Sequence, residues 1–528
     1  MKSDNKSALA SGVVILTAAN LLVKVIGLVF KIPIQRLIGD EGMGYFNMAY
    51  NIYSWLYLVS TAGLPVALSV MISKATAQGK SADTKAIFRT SCTLFALIGT
   101  ASALFMGIFA RQIARSVEID NAYLCAIAIA PTLFFICISS SVRGYFQGFG
   151  NMTVTAVSQV IESLGKVTFG LLLAVYSIKK GYPVYVTAAY AISGVTLGTL
   201  ASMLFCLVSK CFFSPETDKE KSTCKYSDIL KRLVIIALPI TVSSSIMGLT
   251  NVIDTVISVG RLRDIGYASK AATEIYGNYT TLAVSLYNMP SVLIYPIACA
   301  IVPHLTKHLS QGKSGNTIIS SCIKTCCVIS MPCAVGLGVL SYPILCLLFP
   351  QDSAQLASAM LTMLSPAVFL YAMMAITNSV LQASGNERLP IISMITGVAV
   401  KLVSSYIFIG VDGIGRLGIP LGTCMCYLTI VIMNFIFVGN KTKVRVKLFK
   451  TFVLPLMCAL ICGLCAYIAN KTLSSFTDQN LSVLLSITLA VLIYGVCVFK
   501  FKAVEKSDIE YLPKGEHICR MLGKLKLI

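Results

Sequence analysis

The chain has 528 residues, 56% of them apolar and only 12% charged, whereas a soluble globular chain carries about 25% charged residues. That composition excludes a water-soluble enzyme, a disordered protein and a coiled coil, and runs of about 20 apolar residues from end to end mark an integral membrane protein. The formal net charge of +21 would suggest nucleic acid if the bases formed one patch. They lie instead in short loops between apolar runs, the pattern that sets membrane topology.

Fourteen spans follow from apolar length: 8–30, 45–72, 90–109, 122–141, 152–178, 184–208, 233–259, 279–301, 325–348, 357–381, 389–408, 419–438, 448–469 and 481–499. All are expected to be helices, because a chain in lipid must satisfy its backbone hydrogen bonds internally and these runs are too long for barrel strands. The first run is too long for a signal-peptide core and lacks a cleavage site, so it is expected to stay as the first transmembrane helix. The even connections, with Lys74, Lys85, Arg89, Lys210 and Lys231 among others, hold twice as many bases as the odd ones. This asymmetry predicts a multi-pass protein of the bacterial cytoplasmic membrane with both termini in the cytoplasm.

An internal repeat runs through the chain. Gln78-Gly79-Lys80 returns as Gln311-Gly312-Lys313, and Gln147-Gly148-Phe149-Gly150-Asn151 as Gln382-Ala383-Ser384-Gly385-Asn386. Lys166 then falls on Lys401, and Gly194 to Thr199 on Gly418 to Thr423. Matches in the same order at corresponding places define a repeat of six helices, and an even number gives both copies the same direction through the membrane. The expected fold is therefore all-α, with fourteen transmembrane helices: a six-helix lobe over 1–210, a second in parallel repeat over 228–440, two additional helices over 441–500 and a cytoplasmic basic tail over 501–528.

Nineteen cysteines lie almost wholly inside apolar runs, where they act as small hydrophobes, and neither Cys458, Cys462 and Cys465 nor His304 and His308 has the partners of a metal site. An ionised group at membrane depth costs about 2.5 to 3.5 kcal/mol on insertion scales, so each needs a partner or a watery cavity. Lys24 and Lys31 share one face of the first span and Arg36 continues it outward. For Lys31 and Arg36 an interfacial role is the competing account. Lys166 follows Glu162 by one turn and has two readings, an intrahelical pair or a free cation. Lys401 has no acid one turn away. Together these bases would put positive charge around a cleft between lobes and suit an anionic substrate. Asn251 and Asp254, in the seventh span, overlay Lys24 and Gly27, so one lobe offers an acid where the other offers a base; a plain pair of Asp254 with Arg261 is the alternative.

The two lobes with two further helices, Lys24-Val25-Ile26-Gly27 leading to Arg36-Leu37-Ile38-Gly39, and Arg143-Gly144-Tyr145-Phe146-Gln147-Gly148 together resemble the MOP exporter superfamily. Within it, the chain is similar to the polysaccharide-biosynthesis branch that contains stage V sporulation protein B and the MurJ-type lipid II flippases. The resemblance implies a flippase, not an enzyme, that moves a lipid-linked, pyrophosphate-bearing precursor outward by alternating access. The bases at membrane depth give Lys24, Lys31, Arg36, Arg143, Lys166 and Lys401 as expected substrate contacts, and the resemblance implies a coupling ion, Na⁺ or H⁺, at Asp254 and Asn251, with no other cofactor and no resident metal expected. The partners expected are an anionic lipid-linked oligosaccharide, membrane lipids and cell-wall synthesis enzymes, and no nucleic acid. A cation-coupled multidrug antiporter and a membrane glycosyltransferase are the competing functions; the first predicts an acidic and aromatic pore, the second a large outer loop with carboxylates. No HExxH, P-loop or GxSxG motif is present.

Overall fold

The computed structural model describes residues 2–78, 80–213, 225–291, 294, 305–306, 315–442 and 449–501. Gly79, Gln311 to Lys313, His304, His308, most of the eighth expected span beyond 291 and the basic tail lie outside the described residues. All regular structure among the described residues is helical, and twelve helices are long and apolar enough to cross a membrane. The protein is a multi-pass helical membrane protein.

Contacts divide the chain into two units, Met1–Arg263 with Tyr267–Gly277, and Asp264–Gly266 with Asn278–Ile528. The first begins with α1 (Lys2–Thr61), which spans two of the expected segments. The polar stretch between them, with Lys31, Arg36, Asp40 and Glu41, stays helical apart from a break at Gly39, whose φ of 68° and ψ of −176° are open essentially to glycine alone. Next come α2 (Leu64–Ala77), α3 (Ser81–Ile108), α4 (Ala110–Ser116), α5 (Tyr123–Gly148), α6 (Thr153–Lys179), α7 (Val184–Phe212), α8 (Tyr226–Asp264) and α9 (Ser269–Asn278). The helix that the repeat places at the start of the second lobe, α8, packs in the first unit. Leu233 and Ala237 share a core with Leu64, Ala67 and Phe95, the Gly63 N–H donates to Thr241 Oγ1 at 3.2 Å, and Trp55 Nε1 donates to the Ser245 carbonyl at 3.2 Å.

The second unit holds α10 (Val284–Tyr287), α11 (Asn316–Val339), α12 (Ser341–Leu348), α13 (Gln351–Leu364), α14 (Pro366–Ala383), α15 (Arg388–Ile409), α16 (Gly418–Thr442), α17 (Leu454–Leu473) and α18 (Gln479–Lys500). Two single runs expected from hydropathy are each split in two. The run 357–381 breaks at Ser365 because Pro366 supplies no N–H to continue α13 and is preorganised to start α14. The run 325–348 breaks at Leu340. Apolar side chains such as Leu464 on α17 and Val491 and Leu492 on α18 are more than half exposed, as expected of helices whose solvent is hydrocarbon.

The repeated motifs have a structural meaning. In Gln147 to Asn151 and Gln382 to Asn386, Gly150 and Gly385 hold φ of 79° and 74°. The following asparagine N–H groups bond back to the carbonyls of Phe146 and Leu381 at 3.0 and 2.9 Å. Each motif is thus a glycine-capped helix end. The Gly194 and Gly198 pair lets α7 meet α6 backbone to backbone; a Cβ on Gly165 would stand 2.6 Å from the Gly198 Cα. In the second unit Gly418 and Gly422 bring α16 equally close to Ile409 and Ser405 of α15. Small residues at four-residue spacing are what close helix crossings in lipid require, and the two helices so clasped, α6 and α15, carry Lys166 and Lys401.

Candidate functional site

Beyond its break at Gly39, α1 presents Tyr50, Tyr53 and Tyr57 one after another on one face. Their ring centroids are 5.9 and 6.3 Å apart. Opposite, α6 presents Gln159, Glu162 and Ser163 at helical spacing, and with Val23 of α1 and Arg143 of α5 these side chains enclose a cavity of about 370 Å³ inside the first unit.

Arg143 is buried, 7% exposed. Its Nε donates to Ser158 Oγ at 2.8 Å and its Nη2 donates to Glu162 Oε2 and Ser202 Oγ, each at 2.8 Å. One planar guanidinium thereby ties α5, α6 and α7 together, a task its fixed fork of donors suits. The pairing of Lys166 with Glu162 along α6 is not the arrangement observed. Glu162 turns across to Arg143, and the Lys166 ammonium sits over aromatic faces, 4.5 Å from the Tyr50 centroid and 5.4 Å from that of Phe30. A cation over a ring quadrupole keeps its charge without an acid. Lys31 lies close enough to Lys166 for the two to repel.

Of the residues singled out by sequence, Arg143 lines the cavity paired with Glu162, and Lys166, with Lys31 near it, sits over Tyr50 outside the lining. Lys24 and Arg36 are exposed on α1 and do not line the cavity. Lys401 belongs to the second unit, where it is 1% exposed on α15. Asp254 is buried and Asn251 exposed on α8. Beside Asp254, Asn51 Nδ2 donates to the Tyr276 hydroxyl at 3.0 Å and to Thr255 Oγ1 at 3.2 Å, and those two oxygens are 2.8 Å apart. This polar cluster joins α1, α8 and α9. Among the described residues no three His, Cys, Asp or Glu side chains are grouped to hold a metal.

Sequence reasoning passed over the tyrosine face, although its spacing was visible, because charge drew attention first. It also missed the helix-tying role of Arg143. In the second unit the repeat-equivalent positions are Asn378 and Ser393, and there Asn434 bridges them, with Nδ2 donating to Asn378 Oδ1 at 2.7 Å and to Thr377 Oγ1 at 3.0 Å while Oδ1 accepts from Ser393 Oγ at 2.6 Å. Each unit fastens three helices at the same place, one with a charged network and one with a neutral one.

Residues 9–309, more than half of the chain, match the family described as polysaccharide biosynthesis protein. The chain belongs to that family. It is 25% identical over 516 residues to stage V sporulation protein B of Bacillus subtilis (strain 168), covering 96% of this chain and 98% of that protein. It is 23% identical over 545 residues to the lipid II flippase MurJ of the same organism, covering 97% and 99%. Among solved structures, a lipid II flippase MurJ in an inward closed conformation superposes with a TM-score of 0.70 at 16% identity, covering 92% of this chain and 98% of the other. An inward-facing multidrug resistance MATE family transporter of the MOP superfamily gives 0.67 at 16%, covering 80% and 96%. The fold of this family member is that shared by the two.

Proposed function

We propose that the protein is a flippase for a lipid-linked precursor bearing a pyrophosphate, of the lipid II kind, working by alternating access between two six-helix lobes in a fourteen-helix chain. Both termini are cytoplasmic in this reading, and the site is in the bacterial cytoplasmic membrane. The observation that carries it is Lys166, held over the rings of Tyr50 and Phe30 beside a cavity, with Lys31 near enough to repel it. An anion bound between them relieves that repulsion. The relative named as a lipid II flippase, matched along 97% of this chain, supports the same substrate class. Export of a doubly charged group from a membrane negative inside gains about 2.3 kcal/mol per charge per 100 mV, so the potential drives the step and coupling through Asp254 adds to it.

The cation-coupled multidrug antiporter is a second reading, favoured by three tyrosines and Glu162 on one cavity. Rescue of a strain depleted of its lipid II flippase, with precursor flipping followed in proteoliposomes, separates the two. Lys166→Ala is expected to lower flipping about ten- to a hundredfold, the worth of one charge-assisted phosphate contact, while Lys166→Arg keeps most of it. Drug efflux without flipping would overturn the flippase reading.

A further inference from the structure

The first unit holds a second cavity, larger than the one above. Near the start of α3, a groove of about 600 Å³ is lined by Ala82, Lys85, Ala86, Arg89, Thr90 and Thr93, with Tyr226 and Ile229 of α8 as its other wall. The six α3 residues fall at the spacing of a single helix face. On that face two alanines and two threonines leave the helix surface low, so the space stays open between the side chains of Lys85 and Arg89. A third base, Lys210, caps the Tyr145 ring at 4.1 Å and stands near enough to repel Lys85. The two carboxylates on the first turns of these helices, Asp83 and Asp228, do not line the groove.

Further along α3 the same side of the helix turns apolar. Leu97, one turn beyond Thr93, is 63% exposed and Leu104 is 56% exposed. Bases at the membrane rim, hydroxyls next and exposed leucines beyond them form a sequence of chemistries matched to a lipid: phosphate, glycerol or sugar, acyl chain. Bases near a membrane surface attract anionic headgroups in this way.

We propose that the groove between α3 and α8 is a second binding site, for the phosphate of a lipid headgroup in the cytoplasmic leaflet. Lys85 and Arg89 hold the phosphate oxygens, Arg89 through its fork of donors, Thr93 and the Tyr226 side accept or donate to the headgroup, and the chains lie along Leu97 and Leu104. The leaflet rests on the orientation given under Proposed function; the site itself does not depend on flipping. Because one wall is α8, occupancy bears on the helix that carries Asp254.

Native mass spectrometry of the full chain tests this, with phosphatidylglycerol, farnesyl pyrophosphate, phosphatidylcholine and inorganic phosphate as probes. Phosphatidylglycerol or farnesyl pyrophosphate is expected to be retained over phosphatidylcholine, and their comparison tells whether a bulk phospholipid or a carrier lipid suits the groove better. The double variant Lys85→Gln/Arg89→Gln weakens retention about tenfold or more. Thr93→Trp, which fills the groove and keeps both charges, does the same, while Lys166→Ala, which can affect farnesyl pyrophosphate at the other site, leaves retention of phosphatidylglycerol unchanged. Equal retention by the double variant and by Thr93→Trp overturns the proposal, as does displacement of the lipid by millimolar inorganic phosphate. Alkaline phosphatase fused to the C-terminus reads the orientation separately, and activity of that fusion would move the site to the outer leaflet.

Discussion

Replacing Arg143 with alanine removes three hydrogen bonds and the ion pair to Glu162 in one step. Breaking a buried pair by deleting one partner costs about 3 to 5 kcal/mol because the other charge is stranded. Here the Glu162 side chain keeps 26% of its surface exposed, towards the cavity, and Ser158 Oγ retains its bond to the Thr155 carbonyl at 2.9 Å, which puts the loss at the lower end, about 3 kcal/mol. Glu162→Gln keeps a neutral acceptor and is expected to cost about 1 kcal/mol. The double replacement Arg143→Met/Glu162→Leu recovers most of the stability, since neither charge is left behind. Trp55, the one tryptophan of the chain, bonds to α8 within the same unit, so its fluorescence during thermal unfolding reports the change directly. Wild-type melting of Arg143→Ala accompanied by loss of flipping would refute this reasoning and make Arg143 a ligand of the substrate instead of a fastener of three helices.

Lys31→Ala and Lys166→Ala together are expected to abolish precursor export with folding and insertion intact, and a well-expressed double variant that flips normally removes the anionic-substrate reading. Asp254→Asn should lose the response of transport to an imposed Na⁺ or H⁺ gradient; a full response in vesicles would rule out its coupling role. On α9, burial pushes the Glu274 carboxyl above its ordinary value, with Lys270 opposing and Asp40 and Glu41 adding to the rise. A raised folded value means that ionisation works against the fold, so stability increases as pH falls from above that raised value towards the ordinary glutamate range. Glu274→Gln should flatten that part of the melting-temperature profile, and an unchanged slope would assign it to another group.

The membrane spans were legible because apolar length is a one-dimensional property of the chain. Two breaks were not: hydropathy passes unchanged through Leu340 and Ser365, and only backbone geometry separates the segments there. The repeat was readable as recurrence, but that Gly150 and Gly385 cap helices follows from their positive φ. The bases at Lys31 and Lys166 could be listed from sequence because charge in lipid is rare. Their surroundings could not, because the Arg143 to Glu162 pair and the seat of Lys166 over Tyr50 join residues on different helices. Spacing along one helix, the only geometry a sequence offers, suggested the wrong partner for Glu162.

Gly39 divides α1 into a part that bears Lys31 and a part that bears the three tyrosines, and nothing stands within 4 Å of where its side chain would be. Position 39 therefore has room for a methyl group and still resists one, since the objection is rotational and costs about 1 to 3 kcal/mol. A selection for suppressors of weak-binding alleles would accordingly return changes in residues that touch no ligand, clustered about this joint. In such a screen a hinge allele is distinguished from a contact allele by its breadth: it alters the grip on every substrate by a similar factor, whereas a lost contact discriminates among them.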